Sequence, residues 1–238
     1  MTKNIFNAAM VLVGTASVLT GCNFDQPEAP CFVQDNANWV VKYDAVDSPT
    51  LVNGGGACTI VAPPGELLGV FKFNDPDNLN NSLLTIRPNG LASIASRDPG
   101  APSEQTALGA LATEPDDKDF CAAPSLSAAT VNAAATSTAA ATTIRYEYTN
   151  VDVYAAPFAP GTQLKGELKY TKDGCASNYT MRALWPAIAC SPSDATSCGP
   201  DSGLNPDFAA ECLTIRFNAD GTPAASYCVP SKQVPSFR

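Results

Sequence analysis

Cysteine is the residue type that offers the most chemistry in this sequence, and histidine is absent from it. The chain has nine cysteines and no histidine among 238 residues. Cysteine thiols can be acylated, can pair as disulfides or can bind metal ions. Without histidine the sequence lacks the commonest general base, the Ser-His-Asp triad and every His-ligated metal site. No two cysteines have C-x-x-C spacing, so the sequence predicts no metal centre.

The first cysteine, Cys22, ends a segment with the anatomy of an export signal. Lys3 is followed by an apolar run from Ile5 to Leu19, and Leu19-Thr20-Gly21-Cys22 closes the run. About 15 apolar residues are fewer than the roughly 20 that cross a bilayer. The last four residues resemble the lipobox of bacterial lipoprotein precursors. This resemblance implies a signal peptide at 1–21 and lipid attachment at Cys22, by S-diacylglycerol and N-palmitoyl groups. An ordinary secretory signal is the alternative.

The eight other cysteines are even in number, and export would deliver them to an oxidising compartment. They are therefore expected to form four disulfides, with free buried thiols as the alternative. Eight cysteines allow about 105 pairings, so the sequence does not fix the connectivity. We predict the pairs Cys190–Cys198 and Cys31–Cys58. The disulfide candidates are Cys31, Cys58, Cys121, Cys175, Cys190, Cys198, Cys212 and Cys228.

Length and charge limit the architecture and the partners. Removal of residues 1–21 would leave 217 residues with 13 basic and 23 acidic side chains, a net charge of −10. That length suits one domain with a real core. An acidic surface without a basic cluster argues against nucleic acid and against electrostatic docking on anionic lipid. We predict a lipidated tether at 22–36 and a single β domain at 37–238.

Asn23 bears on which membrane holds the protein. In well-studied envelopes, Asp after the lipidated cysteine signals retention in the inner membrane. The resemblance to lipoproteins therefore implies an outer-membrane location, and the periplasmic face of the inner membrane is the alternative.

Period-two alternation dominates the predicted domain and indicates β-strands. Even positions from Leu164 to Tyr170 are apolar or small, and the odd positions between them are polar. In 144–154 the apolar face changes, which predicts a bulge near Thr149-Asn150. The Ala/Ser/Thr-rich stretch 98–143 is predicted to be a loop-rich insert. The fold class is therefore all-β, an antiparallel sandwich or barrel stapled by disulfides.

Catalytic motifs are not found in the sequence. There is no G-x-S-x-G elbow and no phosphate-binding glycine loop. Asp75-Pro76-Asp77-Asn78 opens like a calcium loop, but Leu79 stands where the next oxygen ligand is needed. Asp116, Asp117 and Asp119 could offer oxygen ligands, but they are interpreted as part of a charged loop. We therefore predict a non-enzyme without a catalytic residue or a cofactor, and a hydrolase with a carboxylate pair is the alternative.

Aromatic residues alternate along several predicted strands, and two interpretations apply. They could line an apolar cavity of a wide barrel, or they could form the core. The core is favoured, since the Gly-x-Trp start usual in lipocalins is missing. These residues are Trp39, Tyr43, Tyr146, Tyr148, Tyr179 and Trp185.

The lipobox, the cysteine-rich mature region and the small size together resemble the cysteine-rich lipoproteins of myxobacteria, of the MlpA type. That resemblance brings no known activity. We predict a lipid-anchored cell-envelope lipoprotein with a binding or structural role. Its partners would be the membrane, through covalent lipid, and an unidentified envelope protein. The alternative function is a barrel-type carrier of a small apolar ligand.

Overall fold

The structure is a computed structural model that describes residues 30–59, 63–78, 81–98, 100 and 102–238. The predicted signal peptide 1–21 and the lipidation residue Cys22 lie outside the described residues. The described chain contains one α-helix of a single turn, α1 (Asn89–Ala92), and 3-10 helices at Ala95–Arg97, Pro102–Gln105 and Pro200–Ser202. Its strands are β1 (Asn36–Ala45), β2 (Thr50–Leu51), β3 (Gly65–Asn74), β4 (Ser82–Pro88), β5 (Ala107–Leu111), β6 (Phe120–Ser125), β7 (Ala129–Ala133), β8 (Thr142–Tyr154), β9 (Gln163–Lys172), β10 (Cys175–Leu184), β11 (Ala210–Phe217) and β12 (Pro223–Pro230).

Ten strands form one antiparallel sheet that curls into a nearly closed barrel. The strand order is β5-β4-β3-β1-β10-β9-β8-β6, with β2 beside β10 and β7 beside β8. The two edges meet where the Ala112 N–H donates to the Ala122 carbonyl at 2.9 Å and the Ser127 N–H donates to the Leu108 carbonyl at 2.7 Å. The all-β, disulfide-stapled fold is therefore confirmed, and of the two predicted architectures the barrel is the one formed.

Large side chains fill the interior of the barrel. Trp39, Tyr146 and Tyr148 are at most 1 % exposed. The rings of Tyr146 and Tyr148 stack with centroids 5.9 Å apart, and the Tyr170 ring meets Tyr146 edge-on at 5.0 Å. Burying each such side chain stabilises the fold by about 1.5–3 kcal/mol. The prediction that the aromatic residues form the core is confirmed for five of them, and Trp185 is partly buried against the same cluster.

β8 contains the predicted irregularity. Its register against β9 shifts between Thr149 and Asp152, and Asn150 has a positive φ of 50°. This break moves the buried set from Tyr146 and Tyr148 to Val151 and Val153, so both halves of the strand face the core. The prediction of a bulge near Thr149-Asn150 is confirmed.

The C-terminal part of the chain covers one outer face of the barrel. β11 and β12 pair as a separate two-stranded sheet, and β12 packs on β1 and β10. Val40 points away from the barrel interior and joins a second apolar cluster with Phe208 and Val229. Because both faces of β1 are covered at this point, Val40 is buried between two inward-facing neighbours, where alternation alone predicts exposure.

The prediction of a loop-rich insert at 98–143 is wrong in the structure, because β5, β6 and β7 lie within this range and belong to the barrel. Inward positions in these strands carry small residues, such as Ala129, Val131 and Ala133. Ala129 lies opposite Tyr146 in the sheet, and a small residue leaves space for the large ring. The small residues thus reflect the packing of the barrel interior.

The predicted tether 22–36 also needs correction at its C-terminal end. Cys31 and Val33 are buried, so the packed chain begins before residue 37. The Cys31 N–H donates to the Thr113 carbonyl at 2.9 Å, and Lys72 Nζ donates to the Cys31 carbonyl at 2.6 Å. We call the end of the barrel where Cys31, Thr113 and Lys72 meet the N-terminal end.

Candidate functional site

A cleft of about 240 Å³ lies at the other end of the barrel, and we call it the Glu66 cleft. The start of β3 and α1 form one side, and β11 and β12 form the other. The residues that matter for its chemistry are Gly65, Glu66, Gly90, Ile215, Arg216 and Tyr227.

Gly65 allows β11 to approach the barrel at this cleft. A Cβ atom at this position would lie 2.2 Å from the Val41 carbonyl oxygen and 3.0 Å from the Leu213 side chain. The first distance is too short for a real Cβ contact and the second is tight, so glycine is required here. The close approach places Ile215 and Arg216 over the end of the barrel, beside Glu66.

Glu66 is a buried carboxylate held by the barrel and by α1. Tyr43 Oη donates to Glu66 Oε1 at 3.0 Å, and the Gly90 N–H donates to Glu66 Oε2 at 2.6 Å. Tyr146 adds a further hydrogen bond from its hydroxyl. The carboxylate thereby joins α1 to the interior of the barrel. Buried carboxylates persist in proteins when they are hydrogen-bonded in this way.

Burial governs the protonation of Glu66. Desolvation raises the pKa of Glu66 to about 6, and the hydrogen bonds from Gly90, Tyr43 and Tyr146 oppose this rise. Desolvation, followed by the charge of Glu66, also raises the pKa values of Tyr43, Tyr146 and Tyr148 above their ordinary values. The three phenols therefore stay neutral, and of these four groups only the carboxyl group titrates near neutral pH.

The Glu66 cleft combines one buried acidic side chain with one exposed cationic side chain. Glu66 is the only buried acidic side chain in the part of the chain that the structure describes. A glycosidase-type mechanism needs two carboxylates at the scissile bond, and the described cleft offers one. Arg216 is exposed at the rim and forms no ion pair with any described residue. A ligand could therefore meet one anionic and one cationic group.

The eight cysteines expected to pair do form four disulfides, but neither predicted pair is among them. Cys31 is bonded to Cys121, and Cys58 is bonded to Cys175. Cys190 is bonded to Cys212, and Cys198 is bonded to Cys228. The predictions were based on proximity in sequence, whereas the first two bonds span 90 and 117 residues across the barrel.

Asp75 and Asp116, in the two acidic loops, accept local hydrogen bonds. The Asp77 N–H donates to the Asp75 carboxylate at 2.9 Å. The N–H groups of Lys118 and Phe120 donate to Asp116 at 2.9 and 2.8 Å, and these bonds lower the pKa of Asp116. Both carboxylates therefore stabilise turns of their own loops.

Sequence reasoning missed Glu66, although a signal was present. Glu66 lies on the same face of β3 as Leu68 and Val70, which both point into the barrel. An acidic residue at an inward position of a strand indicates a buried charge that needs partners. The partners, Tyr43 and Gly90, are distant in sequence and could not be identified from it.

Comparison with known proteins identifies the family. The MlpA family model matches residues 37–186. The chain belongs to the MlpA family. A relative from Myxococcus xanthus, named "Putative lipoprotein MlpA", is 54 % identical over 242 aligned residues, covering 100 % of both chains. The chain is therefore an MlpA-type lipoprotein.

The matched region of the MlpA model nearly coincides with the barrel, which runs from β1 to β10. The covering hairpin of β11 and β12 lies outside the matched residues. No solved structure matches the chain significantly. Within the described residues, no helix is both long enough and apolar enough to span a membrane.

Proposed function

We propose that this MlpA-type lipoprotein is attached to the membrane by lipid on Cys22 and serves the cell envelope by binding. The observation that best supports the attachment is the pairing of all eight later cysteines with one another. Of the nine cysteines in the sequence, this leaves Cys22 for a different chemistry. The lipobox and the lipoprotein name of the Myxococcus xanthus relative agree with acylation.

The proposed anchor consists of several acyl chains on one residue. The Cys22 thiol carries diacylglycerol, cleavage before Cys22 removes residues 1–21, and the new amine is palmitoylated. A single acyl chain holds a protein at a membrane only marginally, whereas two or more hold it stably. The barrel would then remain at the membrane without any segment crossing it.

Replacement of Cys22 tests the attachment. Cys22→Ala should release the protein from the membrane fraction and remove the acyl mass from its N-terminal peptide. Thr20→Ser, which keeps a small hydroxylated residue in the lipobox, should leave fractionation and lipid mass unchanged. Unchanged membrane fractionation of Cys22→Ala would refute the proposal.

The outer membrane is the proposed location, since Asn23 follows the lipidated cysteine. Asn23→Asp should move the protein to the inner-membrane fraction of a density gradient, whereas Asn23→Gln should not. Inner-membrane fractionation of the unaltered protein would instead support the alternative location.

The Glu66 cleft is the proposed binding site, because it faces away from the proposed anchor. Glu66 and Lys72 both lie on β3, and Lys72 is at the N-terminal end of the barrel. A strand rises about 3.3 Å per residue, so the two residues are about 20 Å apart. A partner could therefore reach the cleft without touching the membrane. The net charge of −10 after signal removal argues against nucleic acid as that partner.

Site-specific crosslinking tests the binding role. A photoreactive residue in place of Ala225, which lines the cleft, should yield a crosslinked product in intact cells. The same residue in place of the exposed Lys118 is the control, because Lys118 lies in the loop before β6 at the N-terminal end. Equal products from both positions would contradict a binding site at the cleft.

The carrier alternative receives no support from the interior of the barrel. The aromatic side chains that would line a ligand cavity pack against one another and against Met181 and Leu168 in a single cluster. We therefore favour binding at the end of the barrel over binding inside it.

A further inference from the structure

Two phenylalanines are exposed on adjacent segments at the N-terminal end of the barrel. Phe158 is 61 % exposed and Phe32 is 48 % exposed. The Gln34 N–H donates to the Gly161 carbonyl at 3.0 Å, so the segment that carries Phe32 runs beside the loop that carries Phe158. Gly161 permits this approach, since a Cβ atom there would lie 2.3 Å from the Phe32 carbonyl oxygen.

Two cations flank these aromatic side chains. The ring of Phe158 contacts the ring of Phe237 at a centroid distance of 5.4 Å, and Lys232 Nζ donates to the Phe237 carbonyl at 2.8 Å. Arg238 Nε donates to the Phe208 carbonyl at 3.0 Å. Neither cation forms an ion pair with a described residue. This surface therefore presents two exposed cationic side chains beside the exposed aromatic rings.

The length of the preceding chain keeps this surface close to the lipid. The described chain begins at Pro30, eight residues after Cys22. Eight extended residues span at most about 26–29 Å. If Cys22 is acylated, the N-terminal end of the barrel cannot move farther than this from the bilayer.

We infer that the N-terminal end of the barrel lies on the bilayer, with Phe32 and Phe158 in the interfacial region and Lys232 and Arg238 at the lipid phosphates. Aromatic rings stabilise contact with the interface, and long cationic side chains reach the headgroups while their stems stay apolar. The inference rests on the proposed lipid attachment at Cys22. It fixes the orientation of the barrel, so that the Glu66 cleft points away from the membrane.

Fluorescence quenching by brominated lipid tests this orientation. The full lipidated protein with Phe158→Trp is reconstituted into phosphatidylcholine vesicles whose acyl chains carry bromine near the headgroup. The matched control is Phe217→Trp, because Phe217 is 56 % exposed and lies at the end of β11, beyond the Glu66 cleft. The unaltered protein corrects for emission from Trp39 and Trp185. Pure lipid vesicles contain no protein partner that could cover the same surface.

The expected result is loss of most of the added emission in Phe158→Trp and little loss in Phe217→Trp. Equal quenching of the two variants, with acylated Cys22 verified by mass, would overturn the orientation and leave the proposed attachment intact. A Cys22 without acyl mass would overturn both. The mass measurement therefore distinguishes the two failures.

Discussion

The sulfur of Cys190 lies within 4.8 Å of the sulfur of Cys198, although the two residues are bonded to other partners. Cys228, the partner of Cys198, belongs to the same group of neighbouring sulfurs. A thiolate at Cys190 would therefore stand within reach of an existing disulfide. Thiol–disulfide exchange begins with attack by such a thiolate on a disulfide sulfur.

Loss of Cys212 should disturb the pairing of its neighbours. In Cys212→Ser, the free Cys190 thiolate should attack Cys198, form a Cys190–Cys198 bond and release Cys228 as a thiolate. Peptide mapping under non-reducing conditions should then find Cys190 linked to Cys198 in part of the protein. In Cys190→Ser the attacking sulfur is missing, so the Cys198–Cys228 bond should persist. Native pairing in both variants would contradict exchange within this sulfur group.

Glu66 should make stability depend on pH in a predictable direction. Its pKa in the folded protein is about 6, above the ordinary value of 4.5, so the folded state binds the proton more tightly. This contribution is fully present below pH 4.5 and is lost as the pH rises through 6. At about 1.4 kcal/mol per pH unit, the loss is about 2 kcal/mol.

Glu66→Gln isolates this effect, because the amide mimics the protonated acid. At pH 8 the variant should exceed the unaltered protein in unfolding free energy by up to about 2 kcal/mol, and the gain should vanish near pH 4. Urea unfolding with the disulfides intact measures both values. Glu114→Gln, at an exposed position, should show no such pH-dependent difference. A less stable Glu66→Gln at pH 8 would show that the charged form is preferred.

Gly90 is expected to tolerate no side chain. A Cβ atom at Gly90 would lie 2.5 Å from the Tyr146 hydroxyl and 3.2 Å from Glu66 Oε2. Tyr146 is 1 % exposed and cannot move aside freely. Gly90→Ala should therefore lower the unfolding free energy by about 1–3 kcal/mol. Gly54→Ala is the control, since a Cβ there meets no atom within 4 Å. Similar changes in unfolding free energy for Gly90→Ala and Gly54→Ala would contradict tight packing at Gly90.

The strands that could be predicted are those whose exposure alternates strongly. In β9, Leu168 and Tyr170 face the core, while Glu167 and Lys169 face solvent. The apolar side chains are therefore the buried ones and the charged side chains are the exposed ones. In β7, the inward residues are Ala129, Val131 and Ala133, and alanine carries little information about burial. Alternation was present there, but the contrast between its two faces was too weak to indicate a strand.

Contacts between residues that are distant in the sequence could not be predicted from it. The disulfide between Cys58 and Cys175 spans 117 residues, and its partners meet only because β2 pairs with β10. The Glu66 cleft likewise needs β3, α1 and β11 to come together. Such contacts depend on the closure of the barrel, which local patterns do not encode. The even number of cysteines after Cys22, by contrast, follows from counting and correctly predicted four bonds.

The ion pair between Arg182 and Asp44 should contribute more than the surface pairs around it. Arg182 Nη2 contacts Asp44 Oδ2 at 2.5 Å, and the Arg182 side chain is 11 % exposed. Asp44→Ala would leave this cation largely buried without its partner, which should lower the unfolding free energy by about 1–3 kcal/mol. The matched change is Asp152→Ala, since Asp152 pairs at 3.8 Å with Lys165, whose side chain is 36 % exposed. That change should cost at most about 1 kcal/mol. Equal losses of unfolding free energy in urea would mean that the Arg182 side chain becomes solvated when Asp44 is removed.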